Sequence, residues 1–164
     1  MVRPLRGYDV MSRMFGLVDT KVQETEYFLE RILNAGLNFF GVQCDAVAFA
    51  SSARSITFAM QSSLTGLPHF DIWYTSKQSE LRNDSLARFF HEFRRVSQHI
   101  GDNAVIGGSY AGKKALFYFG PLPELPTVPE LDVATACTRY FKTMLGIVYE
   151  CYTTFPALIN GQWR

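Results

Sequence analysis

Residues 84–101, DSLARFFHEFRRVSQHIG, contain the pattern that decides the fold. Six apolar side chains in this stretch fall on one helix face: Leu86, Phe89, Phe90, Phe93, Val96 and Ile100. An apolar stripe at this spacing is typical of a helix that packs on a core. Asn83 or Asp84 can cap the first turn, and Gly101 stands where a left-handed residue ends many helices. The stretch therefore predicts an amphipathic helix from Asp84 to about His99.

Helices are also predicted before this stretch. Thr20 and Gln23 match a capping box, which predicts a first helix from Thr20 to Asn34. A second helix ends at Gly66 and Pro68, and its apolar seam alternates spacings of four and three: Val42, Ala46, Phe49, Ala53, Ile56 and Met60. A shorter helix is predicted near 68–79, with Trp73 and Tyr74 facing inward.

The end of the chain repeats the same alternating pattern. A final helix is predicted between a cap at Asp132 and a stop at Pro156, with this seam: Ala134, Cys137, Phe141, Met144, Val148, Cys151 and Phe155. Residues 101–130 are rich in glycine and proline and contain two candidate short strands, 104–106 and 115–119. The sequence therefore predicts a single all-α domain over 1–164, an up-and-down bundle of four to five helices with a small insertion at about 101–130.

Composition limits the classes of function. The formal net charge is +1, so no global field attracts nucleic acid, and any such binding needs a local patch. Three cysteines without a CxxC pair argue against a disulfide framework and a zinc site, and they fit a reducing cytoplasm. The N-terminal residues lack the apolar stretch of a signal peptide, and no apolar run of about 18 residues predicts a membrane span. We therefore expect a cytoplasmic protein without a metal or cofactor.

The polar face of the helix over 84–99 carries the candidate chemistry. Two arginines and two histidines lie on it with two acidic residues: Asp84, Arg88, His91, Glu92, Arg95 and His99. A histidine near neutrality exchanges a proton at cellular pH, and arginine offers a planar charged fork to phosphate. These groups are sufficient for cleavage of RNA without a metal, by attack of the 2′-oxygen on the phosphate.

The same stretch contains Arg94-x4-His99 and resembles HEPN-domain proteins, a family of helical bundles with an R-x4–6-H motif near a helix end. Ser52-Ala53-Arg54-Ser55 in the preceding long helix and Trp73-Tyr74 add to the resemblance, which covers about residues 20–101. It implies a metal-independent endoribonuclease in a toxin–antitoxin or defence system. Carried over by position, Arg94 would contact the phosphate and His99 would transfer protons. On the cationic face of the same helix, Arg95, Arg88 and His91 are the candidates for binding the RNA substrate. The resemblance also implies a homodimer and a nucleotidyltransferase antitoxin as partner.

Two features depart from that family. Arg95 stands where active members commonly have asparagine, and five helical positions turn Arg94 and His99 about 140° apart. Two alternatives therefore stay open. One is a non-catalytic HEPN-like module that binds a protein or nucleotide partner. The other is an unrelated bundle whose helix face is solvated, with ordinary pairs such as Arg88–Glu92.

Residues 107–113 spell GxxxxGK, most of a phosphate-binding P-loop. Lys114 stands where the motif needs serine or threonine to hold magnesium, and the motif must also open a helix. Here the following residues, Ala115 to Phe119, favour a strand. We therefore interpret this segment as a turn or loop and not as a nucleotide site.

Overall fold

The protein is mainly helical, as its computed structural model shows for residues 7–112 and 114–155, with side chains described except for 7–15 and 111. The elements follow in the order α1 (Gly7–Leu33), α2 (Phe39–Leu64), α3 (Phe70–Asn83), α4 (Ser85–His99), β1 (Val105–Ala111), β2 (Lys114–Phe119) and α5 (Val133–Thr154). The predicted mainly helical fold with a hairpin in the insertion is confirmed. Pro156, the predicted stop of the last helix, lies outside the described residues.

The first helix begins earlier than the sequence pattern predicts. Thr20 lies inside α1 and does not cap it, because its hydroxyl donates to the backbone carbonyl of Gly16 at 2.8 Å. A hydroxyl that bonds one turn back is compatible with a continuing helix. The predicted start at Thr20 is therefore wrong, and the capping-box match at Gln23 is incidental.

Helix α2 lies at the centre of the packing and contacts α1, α4 and α5. Its seam is buried along the whole length, as predicted. Phe89, Phe90 and Phe93 of α4 are also buried, and the ring of Phe90 stacks on Tyr140 of α5 with centroids 4.8 Å apart. These aromatic rings are therefore core residues. Cys137 and Cys151 are buried as predicted, whereas Cys44 is exposed because it lies off the seam.

Side-chain caps fix the ends of the helices that position the site. The carboxylate of Asp84 accepts a hydrogen bond from Ala87 N at 2.7 Å, and that of Asp132 accepts one from Thr135 N at 3.1 Å. Gly101 adopts φ 87° directly after Ile100, the C-cap residue of α4. All three roles are those that the sequence predicts. Asp84 is also the only residue between α3 and α4, and its own N–H donates to Glu80 O at 3.0 Å.

The insertion forms an antiparallel hairpin that is anchored to α2. The Gln43 side chain donates to Val105 O at 2.9 Å, and Asn103 donates to Gln43 O at 3.0 Å. Gly108 lies so close to the Leu116 carbonyl of the paired strand that a side chain there would overlap it. The GxxxxGK segment therefore belongs to a hairpin and opens no helix; its Lys113 lies outside the described residues. Nowhere within 7–112 and 114–155 is a helix long and apolar enough to cross a membrane.

A cation-lined cavity between helices α2, α3, α4 and α5

A cavity of about 380 Å³ opens where four helices meet, and we call it the α4 cavity. Helix α2 contributes Ala50, Arg54 and Thr57, and α5 contributes Tyr140. The other lining residues belong to α3 and α4: Tyr74, Gln78, Leu81, Arg82, Ala87, Arg88, Phe90, His91 and Glu92. Three guanidinium groups and one imidazole thus surround a single space.

The rim of the cavity is cationic. Arg82, Arg88 and His91 are exposed, and neither arginine makes an ion pair or hydrogen bond within the described part of the chain. Glu92 is the one acidic residue among those that line the cavity. Its carboxylate already pairs with Arg95 Nε at 2.8 Å and lies 3.8 Å from His91 Nε2. The rim therefore carries more positive than negative charge.

Arg54 projects from the apolar helix α2 and is half-buried. Its Nη1 donates to Thr57 Oγ1 at 3.1 Å, and its guanidinium carbon lies 4.4 Å from the centroid of the Phe58 ring. Its charge opposes the effect that burial has on two tyrosine hydroxyls. Burial raises the pKa of Tyr74 and raises that of Tyr140 to about 12, while Arg54 lowers both pKa values. The Arg54 charge therefore acts at the tyrosines of the cavity floor.

The floor is apolar and aromatic, and it contains two tyrosine hydroxyls, of which one is hydrogen-bonded to the protein. Ala50, Phe90 and both tyrosines are buried. The Tyr74 hydroxyl donates to Thr57 O at 2.9 Å. Tyr140 is 7% exposed, yet its hydroxyl has no hydrogen-bond partner among the described residues. The hydroxyl oxygen is not among the fully enclosed side-chain atoms that lack a partner, so it keeps accessible surface in the cavity and can bind a ligand or water there.

The structure brings together two of the five predicted site residues. Arg88 and His91 line the α4 cavity, and Arg95 lies beside it in the ion pair with Glu92. The Arg88–Glu92 pair that the unrelated-bundle alternative expects does not form, because Glu92 bonds Arg95 instead.

Arg94 and His99, the predicted catalytic pair, do not line this cavity. Arg94 is half-buried, and its Nε is buried without a partner in the described part of the chain. His99 is the exposed last residue of α4. Because α4 is a continuous helix, the two side chains point about 140° apart.

Sequence reasoning assigned no ligand-binding role to four residues that line the cavity, namely Arg54, Arg82, Gln78 and Tyr140. Arg54 left a signal, since it is the only charged residue of α2 from Ala46 to Leu64. A charge at the centre of an otherwise apolar helix indicates a partner or a ligand. Tyr140 left none, because tyrosine at that position fits an ordinary core residue.

The protein is thus mainly helical and has a cavity with a cationic rim and an apolar floor. Residues 38–107 match the family model of bacteriophage lambda protein ea47. The matched part is less than half of the chain and contains α2, α3 and α4, hence every cationic residue of the cavity but not Tyr140. No curated protein and no solved structure matches the chain.

Proposed function

We propose that the protein is a non-catalytic binding module that holds a phosphorylated ligand in the α4 cavity. The observation that carries the proposal is the convergence of Arg54, Arg82, Arg88 and His91 on one space. Guanidinium groups bind phosphate oxygens through paired, charge-assisted hydrogen bonds and stay charged at any cellular pH.

The ionic contacts of the rim support an external anion. Arg82 and Arg88 have no internal counter-charge within the described residues, and Glu92 is already engaged by Arg95. An anion between the helices would supply the missing acceptors. The net charge of +1 means that attraction comes from this local cluster and not from the protein as a whole.

Isothermal titration with inorganic pyrophosphate at low salt tests the proposal. Arg88→Gln should weaken binding about tenfold, near the lower end for a charge-assisted hydrogen bond because Arg88 is exposed. Arg139→Gln is the control, since Arg139 is an exposed arginine of α5 that does not line the cavity, and it should change the affinity less than about threefold. Absence of pyrophosphate binding at millimolar concentration, or equal losses in both variants, would overturn the proposal.

A second candidate function is metal-independent RNA cleavage by Arg94 and His99. It is favoured by the free state of both side chains, which form no ion pair within the described part of the chain. Since one helix directs them apart, cleavage would require a second subunit to complete the site. This candidate therefore requires a homodimer. With it we also propose the other expectations of the resemblance, namely a cytoplasmic location, a nucleotidyltransferase partner and an up-and-down bundle. The contacts of α2 with α1, α4 and α5 are compatible with such a bundle.

Incubation of the full chain with mixed RNA in EDTA tests this candidate. Cleavage should disappear in Arg94→Ala and in His99→Ala. His69→Asn is the control, because His69 is exposed before α3 with φ 66°, a conformation that asparagine tolerates. Intact RNA with the unmodified protein, or cleavage that survives both substitutions, would exclude this function.

A further inference from the structure

The α4 cavity is larger than a phosphate group requires. Its 380 Å³ falls in the range of sites for whole small molecules, about 300–1,000 Å³. A free phosphate at the rim would leave the floor filled only by water. The size therefore indicates a ligand with a body that extends below its phosphate.

Burial divides the cavity into two levels. The exposed residues Arg82, Arg88 and His91 form the rim, whereas Ala50 and Phe90 are almost fully buried at the floor. A ligand that fits this division has its anionic group outside and an apolar or aromatic body inside. Burying such a body on this floor is favourable because apolar surface leaves water on both partners.

Polar groups at the floor specify the body further. The Tyr140 hydroxyl lacks a partner among the described residues, and the half-buried Gln78 amide lies beside the hydroxyl of Tyr74. An acyl chain would leave the Tyr140 hydroxyl unpaired in a dry site, which is unfavourable. A nucleobase presents ring surface to the floor together with donors and acceptors on its edge. It therefore satisfies both the apolar wall and the hydroxyl.

We infer that the ligand of the α4 cavity is a nucleoside 5′-phosphate, with its base on the floor at Tyr140 and Gln78 and its phosphate at Arg82 and Arg88. The inference rests on the proposed phosphate-binding function and adds the class of ligand. A free mononucleotide and the 5′ end of an RNA chain share this chemistry. The experiment distinguishes them.

Titration calorimetry with AMP, GMP, CMP, UMP and ribose 5-phosphate tests the inference. At least one nucleotide should bind about tenfold more tightly than ribose 5-phosphate, because the sugar phosphate lacks the base. Tyr140→Phe should weaken that nucleotide about fivefold to tenfold and leave ribose 5-phosphate unchanged. Gln78→Met provides a second variant with the same expectation, on a half-buried side chain whose replacement retains helix propensity.

Titration with a 5′-phosphorylated RNA trinucleotide, and with the same trinucleotide bearing a 5′-hydroxyl, distinguishes an RNA end from a free nucleotide as the ligand. Tighter binding of the phosphorylated trinucleotide than of any mononucleotide assigns the site to an RNA end, and weaker binding assigns it to a free nucleotide. Equal affinity for nucleotides and ribose 5-phosphate would overturn the inference while leaving the phosphate site intact. Failure of pyrophosphate and every other ligand to bind would overturn the proposed function itself.

Discussion

Replacing Tyr140 by phenylalanine should make the ligand-free protein more stable. The side chain is 7% exposed, and its hydroxyl has no hydrogen-bond partner among the described residues. A fully buried polar group without a partner costs about 1–3 kcal/mol relative to the unfolded chain, where water binds it. The Tyr140 hydroxyl oxygen is not fully enclosed and the α4 cavity has room for water, so its cost lies below that range. We therefore expect a gain of about 0.5 kcal/mol in the free energy of unfolding and about 1–2 °C in Tm.

Tyr74→Phe is the matched comparison. It removes a hydroxyl of the same chemistry at the same floor, but this hydroxyl donates to Thr57 O at 2.9 Å. Its loss leaves a buried carbonyl with one acceptor site unused, so stability should fall by about 1 kcal/mol. Urea unfolding followed by far-UV circular dichroism measures both variants without ligand. If Tyr140→Phe lowers stability as much as Tyr74→Phe does, the Tyr140 hydroxyl is bonded in the native protein and the reasoning is refuted.

Three further substitutions test the fold. Phe93→Ala should lower the free energy of unfolding by about 3–5 kcal/mol in urea titrations, because the Phe93 ring is completely buried among other aromatic rings. Asp132→Ala should cost about 1 kcal/mol in the same assay, since the cap on Thr135 N is lost. Glu150→Gln should cost about 1 kcal/mol at pH 7, because the half-exposed Glu150 carboxylate bonds Lys77 Nζ at 2.7 Å. That bond lowers the pKa of Glu150 below its usual 4.5, so its contribution is complete well above this pH and is lost as the pH falls through the lowered pKa.

Each of these expectations has a contrary result. A Phe93→Ala variant within about 1 kcal/mol of the native protein would mean that the α4 core is poorly packed. An Asp132→Ala variant with an unchanged free energy of unfolding would show that water replaces the cap at the start of α5. A difference in the free energy of unfolding between Glu150→Gln and the native protein that grows as the pH falls would contradict the direction of the Glu150 pKa shift.

Periodicity and capping were sufficient to predict most of the helices. The seams of α2, α4 and α5 repeat at helical spacing, and Asp84, Gly101 and Asp132 stand at helix ends because their side chains or backbone freedom suit those positions. The start of α1 was not predictable in this way. A threonine that bonds one turn back reads in the sequence like a threonine that caps.

Only part of the candidate site could be predicted from the sequence. Arg88 and His91 lie one turn apart on α4, so local spacing placed them together. Arg54, Arg82 and Tyr140 belong to three other helices, and their meeting depends on how those helices pack. No local pattern encodes that packing, which is why helix-wheel reasoning found one wall of the cavity and not the other walls.

The single-residue junction at Asp84 fixes the position of α3 relative to α4 at the cavity. One residue ends α3 and starts α4, and it bonds into both helices, to Glu80 O and from Ala87 N. Arg82 precedes this junction by two residues and Arg88 follows it by four. The direction that the chain takes at Asp84 therefore sets the distance between the two guanidinium groups. A residue inserted there would divide the two backbone bonds of Asp84 between two positions and would shift Arg82 relative to Arg88 without altering any side chain of the cavity.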